Sequence, residues 1–465
     1  MDNQSAMVNP PPIAKTALWL AEPALEACVV GSAALAEACA QAGLTAPPRP
    51  ADLDLAWRLS PEEGARLCHA HGLDAKATPG ALTRGTLGVH IDGTRVEITT
   101  FRGGGADFHA RVAADAALRD MTIGALYWSL ADGAILDPMN GLADWRGRCI
   151  RACGSAADRI REHPIRLLRY VRRATQLGFW LDNATRRGLR SAAAHTANIV
   201  PEALAEELRR VLVTCSSPGV FFQVCAEETT LSEFLPELAP QFDGRPAGRI
   251  RWHPEISQAL HMVLALRTAA SLATERGLRE SERIRLVLGV LLHDLGKGTT
   301  PEAELPSHPG HEAAGVQCIE SLFRRLPALA SKRTKTFCKN MARDHLLLAG
   351  LRRLKPGTLV DLWDRDLAPM RDDHRLLAAA VRCDREGRLQ PSLLGLPVAD
   401  TPAETPDALE QRIANDLEEL DSVLRGVSGT ASAELFPGDP TRLRCHLRAA
   451  RCQALAAAGY CERRR

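Results

Sequence analysis

Apolar and polar positions follow two regimes along the chain. Up to about residue 150, helical stretches alternate with short β-prone runs at residues 52–57, 94–101 and 134–136, separated by Gly and Pro. In Asp52-Leu53-Asp54-Leu55 acidic and apolar residues alternate. Residues two apart on a strand share a face, so both aspartates are expected to project together while Leu53 and Leu55 enter the core. After Ile150 the period-2 signal nearly vanishes and amphipathic helical text runs to about Leu238. Within it, Pro164 suits a first helical turn and Gly178 a C-terminal stop. Leu167, Val171 and Ala174 mark an apolar face, whereas Glu162, Arg166, Arg169 and Arg173 recur at helical spacing on a charged one. A Pro/Gly-rich loop at 240–248 precedes a helical segment of about 252–390, whose run 286–292 reads as buried. A Pro/Thr/Ala-rich linker is expected at 391–406, followed by a helical tail.

Composition adds bounds. With 465 residues, 45% apolar and 25% charged, the chain has material for several cores, about three domains at roughly 150 residues each. Aromatics are only 4%, and the Ala, Leu and Arg content favours helix. The net charge of +2 provides no global basic field, so any nucleic-acid surface must be local. The longest apolar run falls far short of the roughly 20 residues that span a bilayer, and the first residues lack a charged region followed by an apolar one. Thirteen Cys without a C-x-x-C pair argue against a disulfide framework or structural zinc. A cytoplasmic protein without membrane contact is expected, and the sequence does not indicate its oligomeric state.

The alternating run near residue 52 carries the first candidate chemistry. Two neighbouring carboxylates, Asp52 and Asp54, suit Mg²⁺, which favours carboxylates together with substrate phosphates. Glu97, on the next β-prone run, could complete a set that holds two ions and neutralises a leaving pyrophosphate. Upstream, Gly31-Ser32 ends an apolar run with small residues that let backbone N–H groups approach a triphosphate.

Further along stand Arg119-Asp120-Met121-Thr122-Ile123-Gly124-Ala125, then Asp137-Pro138, Gly141 and Asp144, then Glu162-His163-Pro164-Ile165-Arg166. In this order the series resembles the head and neck of class II tRNA nucleotidyltransferases and bacterial poly(A) polymerases, which are polymerase-β-like enzymes. The resemblance implies that Asp52, Asp54 and Glu97 are catalytic. It also implies that Gly31, Ser32, Arg119, Asp120, Glu162, His163, Arg166 and Arg169 bind the incoming CTP or ATP, and that the acceptor is a tRNA or other RNA 3′ end. Leu35, Ala36, Leu118, Gly124 and His163 stand where the family pattern has Arg, Asp, Arg, Asn and Asp. The metal carboxylates are therefore kept while nucleotide-reading groups are changed.

The third segment has its own constellation: His261, His293-Asp294-Leu295-Gly296-Lys297, His308, His311, His345 and Asp384. Imidazole and carboxylate groups on helices suit Mn, Fe, Ni, Co or Mg. The order resembles the HD phosphohydrolase superfamily, and the fuller text that of multifunctional bacterial CCA-adding enzymes. That resemblance implies metal ligation by His261, His293, Asp294 and Asp384. His308, His311, His345 and Lys297 would orient ligands, bind phosphate or add ligands.

The resulting expectation is a multidomain α+β protein: a lead (1–18, disordered), a polymerase-β-like nucleotidyltransferase head with a small mixed sheet (19–150), and all-α parts beyond it. These are a neck (151–248), an HD domain (249–390), and a linker with tail (391–465). Its expected activity is metal-dependent transfer of CMP or AMP to an RNA 3′ end, with phosphohydrolysis by the HD segment. The competing readings are an HD phosphohydrolase whose degenerate head senses nucleotide or RNA, and a transferase turned to another acceptor.

Overall fold

The computed structural model describes residues 13, 17–48, 52–75, 85–228, 230–389 and 404–460. The lead and linker expected at 1–18 and 391–406 lie almost wholly outside them. The chain divides into two compact units, residues 1–196 and 197–465.

The first unit is built on a six-stranded sheet in the order β3-β4-β2-β1-β5-β6. Its strands are β1 (Cys28–Val30), β2 (Leu53–Trp57), β3 (Thr86–Ile91), β4 (Thr94–Thr100), β5 (Tyr127–Ser129) and β6 (Ile135–Leu136). Within this sheet, among the described residues, β2 and β4 pair in parallel and the other neighbours antiparallel. Each of the three β-prone runs forms a strand. The short strands β1 and β5 were not expected, because every residue in them is buried and no alternation marks them. Strand β3 does alternate, and it turns into β4 through Asp92-Gly93, both at positive φ, a strong hairpin signal. Cys28, Val30, Ala56, Phe101, Val112 and Tyr127 share the core beneath the sheet.

Four helices of this unit matter for the sites: α1 (Gly31–Gln41), α2 (Phe108–Ala117), α3 (Ala156–Glu162) and α4 (Ile165–Leu177). One expectation is corrected here. Glu162 and Arg166 do not share a helix, because the chain breaks between them at His163, which is extended at φ −144° and ψ 95°. The ring of Pro164 disfavours helical geometry in the residue before it. Pro164 and Gly178, at φ 66°, then bound α4 as expected, and Leu167, Val171 and Ala174 are buried. Among the described residues the one strand after Ile150 is β8 (Trp180–Leu181), paired with β7 (Cys149–Ile150).

The second unit is helical. Its site is carried by α5 (Gln258–Glu275), α6 (Glu280–Leu292), α7 (His311–Arg325), α8 (Lys332–Leu348) and α9 (His374–Glu386). The apolar run 286–292 is buried throughout along α6. The tail holds α10 (Pro406–Gly426) and α11 (Pro440–Ala457).

Candidate metal and nucleotide sites

In the first unit, β2 begins at Leu53, so Asp52 stands at a bend just before the strand rather than within it. Leu53 is half-buried there, and Leu55 is fully buried. The parallel register of β2 and β4 sets Asp54 beside Glu97, whose Oε1 accepts a 2.9 Å bond from Arg95. Gly31 opens α1 at φ +68°, and a Cβ there would lie 3.3 Å from Asp54 Oδ2. A larger residue would be strained in that conformation and would crowd the carboxylate. Ser32 follows in the same helical turn. Desolvation, then Glu97 and Asp52, push the Asp54 carboxyl above its usual range, while Arg119 pulls the other way. Asp54 therefore feels both other carboxylates, although among the described residues the groups of three whose donor atoms all lie within 4.8 Å of one another belong to the second unit; a cation beside Asp54 would relieve the repulsion.

The basic groups around this cluster are largely committed elsewhere. Arg119 donates to Tyr127 Oη at 2.8 Å, Asp115 Oδ2 at 3.1 Å and the Gly124 carbonyl at 3.3 Å. Asp115, 1% exposed, also accepts from Arg102 and from the Tyr127 hydroxyl. Burial favours its neutral form, but Arg119 and Arg102 hold it below the usual carboxylate range. Arg166 is buried and donates to Glu162 Oε2 at 2.8 Å and to the carbonyls of Leu118 and Arg159 at 3.0 and 3.2 Å. Asp120 accepts from the Met121 amide, and its other oxygen lies 3.8 Å from Arg169. Glu162 and Arg166 thus form one pair, and Asp120 and Arg169 a second. His163 is exposed; partial desolvation and then Arg166 lower its pKa from the ordinary value, against Glu162.

The second unit converges five elements on one buried point. Helix α5 supplies His261, and the end of α6 delivers His293 and Asp294. His311 opens α7, His345 lies on α8 and Asp384 on α9. Each histidine has its Nδ1 turned away from that point. His293 donates to the Val290 carbonyl at 2.7 Å, His311 to that of His308 at 2.7 Å and His345 to that of Met341 at 3.2 Å. His261 Nδ1 lies 3.3 Å from Glu255. All four Nε2 atoms therefore face the carboxylates. Those of His261 and His293 lie 3.3 and 3.4 Å from Asp384 Oδ1, and 3.7 and 3.1 Å from Asp294 Oδ2. Those of His311 and His345 lie 3.5 and 3.8 Å from the other oxygen, Asp294 Oδ1.

These atoms are buried, yet Nε2 of His261, His293 and His311 and Oδ1 of Asp294 have no hydrogen-bond partner. Buried polar atoms are nearly always satisfied, so the set fits a divalent cation held by nitrogen and oxygen donors. Charge points the same way. Burial favours neutral Asp294 and Asp384, but His293 and Lys297 hold the first, and Arg388 and His261 the second, well below the usual range. Burial works against a charged His293, yet the two aspartates push it up to about 10. Burial and then His293 take His345 down to about 4.

The remaining candidates take supporting positions. Lys297 Nζ lies 2.7 Å from Asp294 and donates to the Ala247 carbonyl at 2.7 Å. His308 has both ring nitrogens engaged, by Thr300 and by the Pro246 carbonyl, each at 2.9 Å. That leaves it no nitrogen for a ligand. Nothing in the spacing of His253-Pro254-Glu255 assigns it a role. Glu255 proves to sit between His253 at 2.8 Å and His261, in the carboxylate–histidine arrangement that orients a metal ligand. Gln258, which donates to Asp294 at 3.2 Å, and Arg388, 3.1 Å from Asp384, were missed. Gly296 admits the close packing of the loop, since a Cβ there would lie 1.9 Å from the His311 carbonyl. A cavity of about 340 Å³ opens over the cluster, lined by Trp252, Asp294, Lys297, His311, Asp384 and Arg388 among others.

Comparisons with known proteins follow this division. Residues 44–151 match the Poly A polymerase head domain and residues 259–368 the HD domain. A multifunctional CCA protein of Tolumonas auensis is 32% identical over 277 residues, spanning 58% of this chain and 62% of that relative's length. A solved CCA-adding enzyme with ATP has a TM-score of 0.60 at 14% identity, covering 94% of this chain and 88% of its own. The Bacillus stearothermophilus CCA-adding enzyme in complex with CTP has a TM-score of 0.51 at 19% identity, covering 96% and 93%. The multidomain α+β class, with a polymerase-β-like head and an HD domain, is thereby shown. Among the described residues no helix is long and apolar enough to cross a membrane.

Proposed function

We propose that this chain, built from a Poly A polymerase-type head and an HD domain, transfers CMP or AMP to the 3′ end of a tRNA-like RNA and hydrolyses phosphoesters in its HD segment. The transfer reading rests on the shared register of Asp54 and Glu97, with Asp52 beside them and Gly31 against Asp54. Asp52, Asp54 and Glu97 would hold Mg²⁺, which neutralises the leaving pyrophosphate when bound. Amides at the start of α1 face the triphosphate, and Asp120 with Arg169 orients the nucleotide. Kinship to a CCA protein and the likeness to enzymes solved with CTP and ATP support that substrate class.

The HD reading rests on four Nε2 atoms aimed at two aspartates. His261, His293, Asp294 and Asp384 would hold one cation. His311 and His345, which face the second oxygen of Asp294, would hold another. A transition metal such as Mn, Ni, Co or Fe, or else Mg, activates water at such a site. Glu255 orients His261, and Lys297 and Arg388 balance the aspartates.

A second reading has one observation in its favour. The guanidinium groups of Arg119 and Arg166 are bonded to internal acceptors, which suits a head that binds nucleotide or RNA without rapid transfer. Asp52→Asn with Asp54→Asn separates the two. Incubation with Mg²⁺, each labelled NTP and trimmed tRNA should give transfer that falls by orders of magnitude in the variant, with phosphatase activity kept. Transfer that survives the double change would move the active site elsewhere, and no transfer by the wild type would favour the binding role.

A further inference from the structure

We infer that His253 is the general base of the HD site, with Nε2 as the atom that takes the proton of the attacking water. The inference rests on the phosphohydrolase reading and adds a catalytic residue to it.

The loop before α5 is built to hold this side chain over the cluster. Its two arms meet where the Ala247 amide donates to the Ile256 carbonyl at 2.7 Å. Four bonds then tie it to the segment that follows Asp294. Lys297 Nζ donates to the Ala247 carbonyl and Arg245 to that of Thr300, both at 2.7 Å. His308 Nε2 donates to the Pro246 carbonyl at 2.9 Å, and Arg249 to the Ser307 hydroxyl at 3.0 Å. Ile256 closes the loop at φ 64°, a left-handed conformation that a β-branched residue adopts only under constraint.

Within this loop the two nitrogens of His253 are used differently. Nδ1 donates to Glu255 Oε1 at 2.8 Å, and an acceptor there leaves the lone pair of the neutral ring at Nε2. Among the described residues Nε2 has no hydrogen-bond partner. It lies on the cavity side of the ring. The ring edge packs on Gly248, where a Cβ would lie 2.5 Å from Cδ2 and 3.2 Å from Nε2, and both residues line the space over Asp294 and Asp384. The ring also meets that of His261 edge-on, with centroids 5.5 Å apart. His253 thus stands beside the cluster without being one of the groups aimed into it. A purely structural histidine spends both nitrogens on the fold, as His308 does.

A carboxylate behind one nitrogen and an open lone pair on the other equip a histidine to accept a proton. As the water oxygen bonds to phosphorus, Nε2 takes the water proton. The ester P–O bond breaks, the leaving oxygen takes a proton from solvent, and Nε2 returns its own to solvent.

The test uses the metal-loaded full chain, His253→Asn and His253→Ala, on glycerol 2-phosphate and p-nitrophenyl phosphate. Asn keeps a donor where Nδ1 stood, facing Glu255, but has no atom that accepts a proton at the place of Nε2. In both variants and on both esters kcat should fall about 10²- to 10⁴-fold, with KM little changed. Imidazole added to His253→Ala should restore turnover in proportion to its concentration. Competitive titration with a chelator, a readout independent of turnover, should give His253→Asn the metal affinity of the wild type. Wild-type kcat in His253→Asn would reduce His253 to a structural partner of Glu255 and overturn the base. Weakened metal binding in His253→Asn would overturn it too, by making the residue a support of the cluster. A loss confined to glycerol 2-phosphate, whose alkoxide needs a proton to leave, would make His253 an acid instead. If the wild type hydrolyses neither ester, the phosphohydrolase reading fails and the assignment with it. An active wild type beside an active His253→Asn overturns the assignment alone.

Discussion

Glu255→Gln perturbs the metal cluster without touching a ligand. The Glu255 side chain is fully buried between His253 and His261, and its second oxygen accepts the Leu389 amide at 3.3 Å. The His253 hydrogen bond and the His261 ring 3.3 Å away overcome desolvation and hold its carboxyl at about 2, so it is an anion at any working pH. Gln keeps the shape and removes the charge, and its NH₂ end cannot accept from a histidine or an amide. His261 then loses the partner that holds Nδ1 and makes Nε2 basic. Loss of such an outer partner typically costs 10- to 100-fold in metal affinity, or about 1.4–2.7 kcal/mol. Competitive titration with a chromogenic chelator measures that ratio directly. Thermal unfolding with and without saturating metal checks it, because stabilisation by metal should shrink by the same free energy. Wild-type affinity in Glu255→Gln would show that His261 is not a ligand or is oriented by something else.

Three other perturbations have defined outcomes. His293→Ala with Asp294→Ala should abolish metal binding, measured by metal analysis, and hydrolysis of cyclic nucleotides, with nucleotide transfer still measurable; unchanged occupancy would refute the ligand assignment. Asp115→Asn removes the charge and one of the two oxygens that accept from Arg102, Arg119 and Tyr127 and should destabilise the first unit at pH 7 by about 3–5 kcal/mol. Because its folded-state pKa is lowered, that contribution is present above about pH 4 and lost as pH falls further; urea melts at pH 7 and pH 3 that differ from wild type equally would contradict this. His163 is shifted below its ordinary 6.5, so at pH 7 its ring keeps one accepting nitrogen, which it loses only as pH falls below about 6.5. His163→Asp should raise preference for CTP and ATP over UTP and GTP about five- to a hundred-fold, and identical NTP selectivity in both proteins would remove His163 from base reading.

What could be read from the chain depended on how local the signal was. The runs 52–57 and 94–101 begin in alternation and form strands, whereas β1 and β5 are buried on both faces and give no period to detect. Asp92-Gly93, by contrast, is a local hairpin signal that needs no alternation beside it. The HD cluster was legible because His293-Asp294 ends a long apolar run and the other imidazoles stand in one segment. What the sequence could not supply was direction. It could not reveal that His308 spends both nitrogens on its surroundings while His311, three residues on, leaves one aimed at Asp294. Nor could spacing alone show the helix breaking at His163, where the effect of one proline overrides the charged periodicity that continues through it.

The contacts that fasten α4 to the head have a consequence for how this surface tolerates change. Arg166 and Tyr170 grip the main-chain oxygens of Leu118 and Asp120, at 3.0 and 2.9 Å. A carbonyl is the same acceptor whatever side chain its residue carries. The alignment of the helix with that loop is thus indifferent to the identity of residue 118, and Leu can stand there at no architectural cost. Substitutions along the loop alter what a bound nucleotide meets while the scaffold beneath stays in register. Chemistry and architecture can drift independently at this junction, and altered specificity could arise here one side chain at a time without passing through an unfolded protein.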